Sequence, residues 1–140
     1  MVYSIADAMP EDKYGFKPTP AQQTFGERVL HVAEVNMLLL GTLGAKVPAP
    51  QLDSKPTKKA DILAVLKTTT DYGSAVLKEL SQKQLEERIK TPQAMAWFMG
   101  PEVSRMRIVY FLMTHAQDTY GQLVVYMRLN GIVPPLSRQP

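Results

Sequence analysis

His31 and His115 are the only two histidines in the 140-residue chain, which contains no cysteine. Thiolate metal sites, cysteine nucleophiles and disulfide scaffolds are therefore excluded. Any metal ligation or acid–base chemistry that needs imidazole must run through those two side chains. His115 opens the stretch His115-Ala-Gln-Asp-Thr119. On a helix, Asp118, Thr119 and Gln122 at i+3, i+4 and i+7 share its face. A histidine at i+4 would complete a two-ligand metal arm, because imidazoles one turn apart converge on one ion. Position 119 is threonine, so at most one strong ligand and one carboxylate, Asp118, survive there. His31 shares its side with Thr24, Glu27, Glu34 and Leu38, a polar stripe that suits either solvent or a polar cavity. The plainer readings stand beside these: a lone helical histidine as a hydrogen-bonded or solvated group, and Asp118 with Thr119 as an exposed polar pair.

The elements that must position these residues are helices. Thr24-Phe-Gly-Glu27 has the capping-box pattern ahead of an apolar run, and it predicts a helix from Phe25 to Leu43 that ends near Gly41 or Gly44. That helix is apolar on nearly every side between Val29 and Leu40, as expected of a central helix or one covered by a partner. A second helix is expected over 58–80, with Ile62, Leu63, Leu66, Val76, Leu77 and Leu80 on one face. Thr91-Pro92 reads as an N-cap with proline at the first helical position of a short piece closed by Gly100. Pro101 then opens the longest helix, carried to Asn130 and stopped by Asn130-Gly131 and Pro134-Pro135; about thirty residues would span roughly 45 Å. Tyr3 to Met9 reads as the tail of a further helix, too short to stand alone. Three prolines make Val47 to Pro56 a loop, Pro10, Pro18 and Pro20 interrupt residues 10–20, and no strand pattern competes.

Composition narrows the function classes. One domain over residues 1–140 is the expectation from length. The 16 Lys+Arg against 13 Asp+Glu, net +3, are too evenly scattered for a nucleic-acid footprint. No segment approaches the roughly 18–20 apolar residues of a membrane span, and Met1 to Pro10 lacks the regions of a signal peptide. The eight methionines read as adaptable core filling or a Met-rich interface. Trp97, Phe98 and Met99 read as a packing cluster, and Lys55, Lys58 and Lys59 as a solvated helix start.

At the C-terminal end the run Tyr120-Gly-Gln-Leu-Val-Val-Tyr-Met-Arg-Leu-Asn-Gly-Ile-Val-Pro-Pro135 resembles the DinB/YfiT-like superfamily of candidate metalloenzymes. So do Ala8-Met-Pro-Glu-Asp-Lys-Tyr-Gly-Phe-Lys-Pro-Thr-Pro20, Thr24-Phe-Gly-Glu27 and His31-Val-Ala-Glu-Val-Asn36. The resemblance implies an all-α, antiparallel four-helix bundle of the up-down-down-up type, commonly dimeric. It also implies a divalent metal, zinc or nickel, held by three histidines: one at the position of His31 and two from a His-x-x-x-His on the last helix. His115 matches the first of that pair, and Thr119 stands where the second belongs. Hydroxyls are poor donors to borderline metals, so the expectation is a weakened or absent site, with Asp118 or Glu34 as the candidate substitute ligands; each projects some 60° away on its helix.

Two function classes follow from the resemblance. One is a binding protein with a degenerate site; the other is a metal-dependent transferase or isomerase using a low-molecular-weight thiol. A third, a purely structural or partner-binding bundle, follows from the nearly all-apolar helix between Val29 and Leu40. The expected partners are a second copy of the chain and a small molecule, without nucleic acid or membrane. The family's first helix usually extends further than Tyr3 to Met9, so the N-terminus is expected to be incomplete in helical terms. The expected compartment is the cytoplasm, with periplasm or secretion open if a precursor signal has been removed.

Overall fold

The computed structural model describes residues 1–52 and 55–138, and its order is α1 (Val2–Ala8), α2 (Phe25–Leu40), α3 (Lys59–Glu79), α4 (Gln82–Glu86), β1 (Arg88–Lys90), α5 (Ala96–Met99), β2 (Glu102–Ser104) and α6 (Arg105–Leu129). The fold is all-α apart from one short ribbon. α2 packs against α3 and α6, and α1 against the same two helices.

α2 begins where its capping box demands. Glu27 N–H donates to Thr24 Oγ1 at 3.1 Å and Thr24 N–H donates to Glu27 Oε2 at 2.7 Å, so each side chain satisfies an orphan amide of the first turn. The α-helix stops at Leu40, three residues short of the expected end; Gly41–Leu43 tightens into a 3-10 turn and Gly44 follows at φ 74°. A left-handed glycine closes the helix because no Cβ obstructs that conformation. α3 matches its expected span within a residue at each end, and Ile62, Leu63, Leu66, Val76 and Leu80 are buried. Leu77 departs from that face and is exposed.

Two apolar clusters hold the helices. The first joins α1, the N-terminal half of α2, α3 and the end of α6 through Ile5, Phe25, Val29, Leu66, Leu123 and Met127. The second joins the end of α2, α3, α5 and the start of α6 through Leu39, Leu43, Tyr72, Val76, Met99 and Ile108. Tyr14 locks α1 to this frame: its hydroxyl donates to the Ala6 carbonyl at 2.7 Å and its ring meets Phe25 edge-on. Lys59 is not merely solvated. Its Nζ donates to the carbonyls of Asp7 and Met9, at 2.6 and 3.0 Å, and holds the C-terminal end of α1.

The expectation that no strand forms is corrected by β1 and β2, which pair antiparallel with Ile89 opposite Val103. The ribbon delays α6 by four residues from Pro101. Ser104, whose Oγ accepts from Arg107 N–H at 3.2 Å, is its cap. Thr91 is not a cap; its amide donates to the Pro101 carbonyl at 3.0 Å and extends the ribbon. Twenty-five helical residues make α6 about 37 Å long. Residues 53 and 54 of the expected proline-rich loop lie outside the described residues. Among the described residues, no helix is long and apolar enough to cross a membrane.

Candidate functional site

Between Ile108 and Thr119, α6 has no fully buried side chain. In this thinly covered stretch lies His115, facing His31 of α2. The two imidazoles meet edge-on with ring centroids 5.0 Å apart. The resemblance implied that these two histidines share one site, and packing of α2 against α6 places them side by side.

Each ring has a different surrounding. His31 Nδ1 lies 3.9 Å from Glu34 Oε2, one turn along α2, and Glu34 is exposed. His115 is half-buried and stacks on Phe111, one turn earlier in α6, with centroids 5.9 Å apart. Its Nδ1 is buried and has no hydrogen-bond partner among the described residues. Burial pushes the His115 pKa down from its ordinary value, the neighbouring His31 and Arg28 push the same way, and Asp118 partly opposes them. Burial thus favours the neutral form of this imidazole.

The other expected residues divide. Thr119 is buried at 1 % exposure, on the core side of α6. Asp118 is exposed, and its Oδ2 accepts from Gln122 Nε2 at 2.7 Å. It contributes to the electrostatics of His115 but is already engaged by its own helix.

The donor set can be tested against a resident divalent ion. An orphaned, neutral imidazole nitrogen suits a ligand, but two imidazoles do not make a closed site. Among the described residues, no group of three or more His, Cys, Asp or Glu side chains is placed to hold a metal. Arg28 adds a permanent positive charge beside the pair. Among the described residues the pair lacks the third donor that a closed site needs.

Arg28 and Phe111 were not singled out from the sequence, although helical spacing contains the signal. Arg28 precedes His31 by three residues and Phe111 precedes His115 by four, the separations of same-face neighbours. Beyond Phe111 the rings continue: Phe98 lies 5.6 Å from Phe111, and Trp97 lies 4.9 Å from Phe98. Met99 alone of the expected Trp97-Phe98-Met99 cluster is buried; Trp97 is 84 % exposed. α5 turns Met99 into the second core cluster, so its other faces point outward.

A family model described as the DinB superfamily matches residues 1–123. The chain is 24 % identical over 127 residues to the uncharacterized protein YjoA of Bacillus subtilis strain 168, covering 91 % of this chain and 80 % of that protein. The crystal structure of the DinB-like YjoA superposes with a TM-score of 0.76 at 23 % identity, covering 99 % of this chain and 91 % of that one. A DinB-like protein from Bacillus cereus ATCC 10987 gives the same TM-score at 21 % identity, covering 96 % and 86 %. At these identities the two structures speak for the fold.

Proposed function

The chain belongs to the DinB superfamily, and from that premise we propose that it is a small-molecule-binding member whose histidine pair, His31 and His115, holds a divalent ion weakly or not at all. The observation that carries this reading is the donor set. Two imidazoles face each other, position 119 offers a buried threonine in place of a third, and both nearby carboxylates sit at the rim. Removing a nitrogen donor leaves a site that borderline metals occupy poorly.

Metal content and a restored ligand test it together. Protein purified after growth with zinc, nickel and iron should contain each metal far below one equivalent. Near-stoichiometric metal that disappears in His115→Ala overturns the reading. Thr119→His should raise zinc affinity more than about tenfold, since even outer-shell partners change metal affinity by ~10–100-fold. Because Thr119 is buried, the larger ring should also cost about 1–3 kcal/mol of stability by overpacking.

A second reading, a metal-dependent transferase or isomerase using a low-molecular-weight thiol, is favoured by the unpartnered His115 Nδ1. The cysteine-free chain leaves the thiol to the substrate. Its signature is zinc uptake that occurs only when such a thiol is present. The reading of the assembly is a homodimer, supported by the exposed Leu38, Tyr110 and Met113.

A further inference from the structure

Four buried side-chain polar atoms among the described residues have no hydrogen-bond partner, and two of them lie on the packed helices α2 and α6: Arg28 Nε and His115 Nδ1. A buried polar group without a partner is costly enough that it calls for an explanation. Arg28 sits one turn before His31 on the same face of α2, and its charge is felt at His115. Among the described residues its side chain has neither an ion pair nor a hydrogen bond. The carboxylates of this part of α2 and α6 have other contacts: Glu27 in the α2 capping box, Glu34 beside His31, Asp118 with Gln122.

We infer that the Arg28–His31–His115 cluster is the seat of an organic anion, whose carboxylate accepts from Arg28 and His115 and whose flat apolar body lies along Phe111 and Phe98. A guanidinium is always charged and presents a planar fork that matches a carboxylate. A neutral imidazole with its proton on Nδ1 supplies a second donor, so one ligand satisfies both orphaned nitrogens. The stacked Phe111–His115 pair and the adjoining Phe98 ring, 5.6 Å from Phe111, continue the site as an aromatic wall. Aromatic bodies favour offset or edge-on contact with such rings. The same charge that invites a carboxylate opposes a cation, so this assignment rests on the proposal that no metal resides at the pair and gives that site its ligand class.

With only two histidines in the chain, the imidazole Hε1 proton resonances report the site directly. Benzoate, its neutral isostere benzamide, and acetate are titrated into the full chain, with zinc chloride added to a parallel sample. Benzoate should shift both imidazole signals saturably and bind about tenfold or more tighter than benzamide, the scale of one charge-assisted hydrogen bond. Arg28→Gln should abolish that preference, and acetate should bind more weakly than benzoate. Equal affinity for benzoate and benzamide, or an undiminished preference in Arg28→Gln, overturns the anion seat; acetate equal to benzoate overturns the aromatic wall. If the variant fails to fold, the benzoate–benzamide comparison in the unmodified protein decides alone. Failure of the metal-free reading shows separately, as both signals shifting to completion at one equivalent of zinc.

Discussion

His115 is a base whose protonation is opposed by burial and by two neighbours, His31 and Arg28, with Asp118 alone pulling the other way. Its pKa in the folded protein lies below the ordinary 6.5, so between the two values the unfolded chain binds more protons than the folded one. The stability it contributes is fully present above pH 6.5 and is lost as the pH falls through the folded value. Thermal melts at successively lower pH below 6.5 should therefore show Tm falling faster in the unmodified protein than in His115→Gln, which cannot titrate. Parallel curves would show that the burial of this imidazole is not linked to folding. At this scale the family resemblance already assigned His31 and His115 to one site, while their other neighbours went unread. The sequence named His31 and His115 as the scarce imidazoles, but their mutual distance depends on how α2 meets α6. Arg28 is one of 16 basic residues, set apart by a buried Nε that has no hydrogen-bond partner among the described residues.

Local chemistry sets most element boundaries. The capping box at Thr24 and Glu27 formed as its spacing required, and Gly44 closes the turn that follows α2. Gly100 is the sharper case: at φ 84° and ψ 175° it occupies backbone space nearly confined to glycine. Gly100→Ala should cost about 1–3 kcal/mol for that reason. Gly121, by contrast, lies inside α6 on an exposed face, where an added Cβ would meet nothing within 4 Å. Gly121→Ala should gain roughly 0.8–1 kcal/mol in helix propensity. Urea unfolding of the two variants should move the midpoints in opposite directions; a shared direction would refute the backbone argument. The ribbon was not legible, because strands of three residues carry too little alternation to read. It is held by Arg105, whose amide donates to the Glu87 carbonyl at 3.1 Å and whose side chain donates to the Leu43 carbonyl at 2.8 Å and to Glu87 Oε2 at 2.7 Å. These partners are distant in sequence, so no local pattern announces them.

The molecule as a whole is under-covered for its size. Its accessible surface is 8420 Å², where a compact monomer of 15.7 kDa would expose about 7,300 Å². The difference, about 1,100 Å², is more than the ~800 Å² that each partner loses in an interface of standard size. A groove of about 380 Å³ opens between α1 and Met113 and Ala116 of α6. A second copy of the chain covering exposed apolar residues such as Leu38, Tyr110 and Met113 would remove this excess from water. Sedimentation equilibrium at micromolar concentration should give a mass of two chains, and substitution of Tyr110 and Met113 by serine should shift the balance toward one. A stable monomer in the unmodified protein would refute the dimer.

The sequence by itself determined the helical class, the principal helices to within a few residues, the chain's family likeness and the short inventory of residues able to do chemistry. Those follow from local rules: apolar spacing, capping pairs, and the placement of glycine and proline. The three-dimensional packing supplied the edge-on contact of His31 with His115, the burial of Thr119, the tie of Asp118 to its own helix, and an Arg28 Nε without a hydrogen-bond partner among the described residues. Helical spacing fixes which side chains share a face, but which faces meet across α2 and α6 is set by the two apolar clusters at their ends, built from residues far apart in the chain.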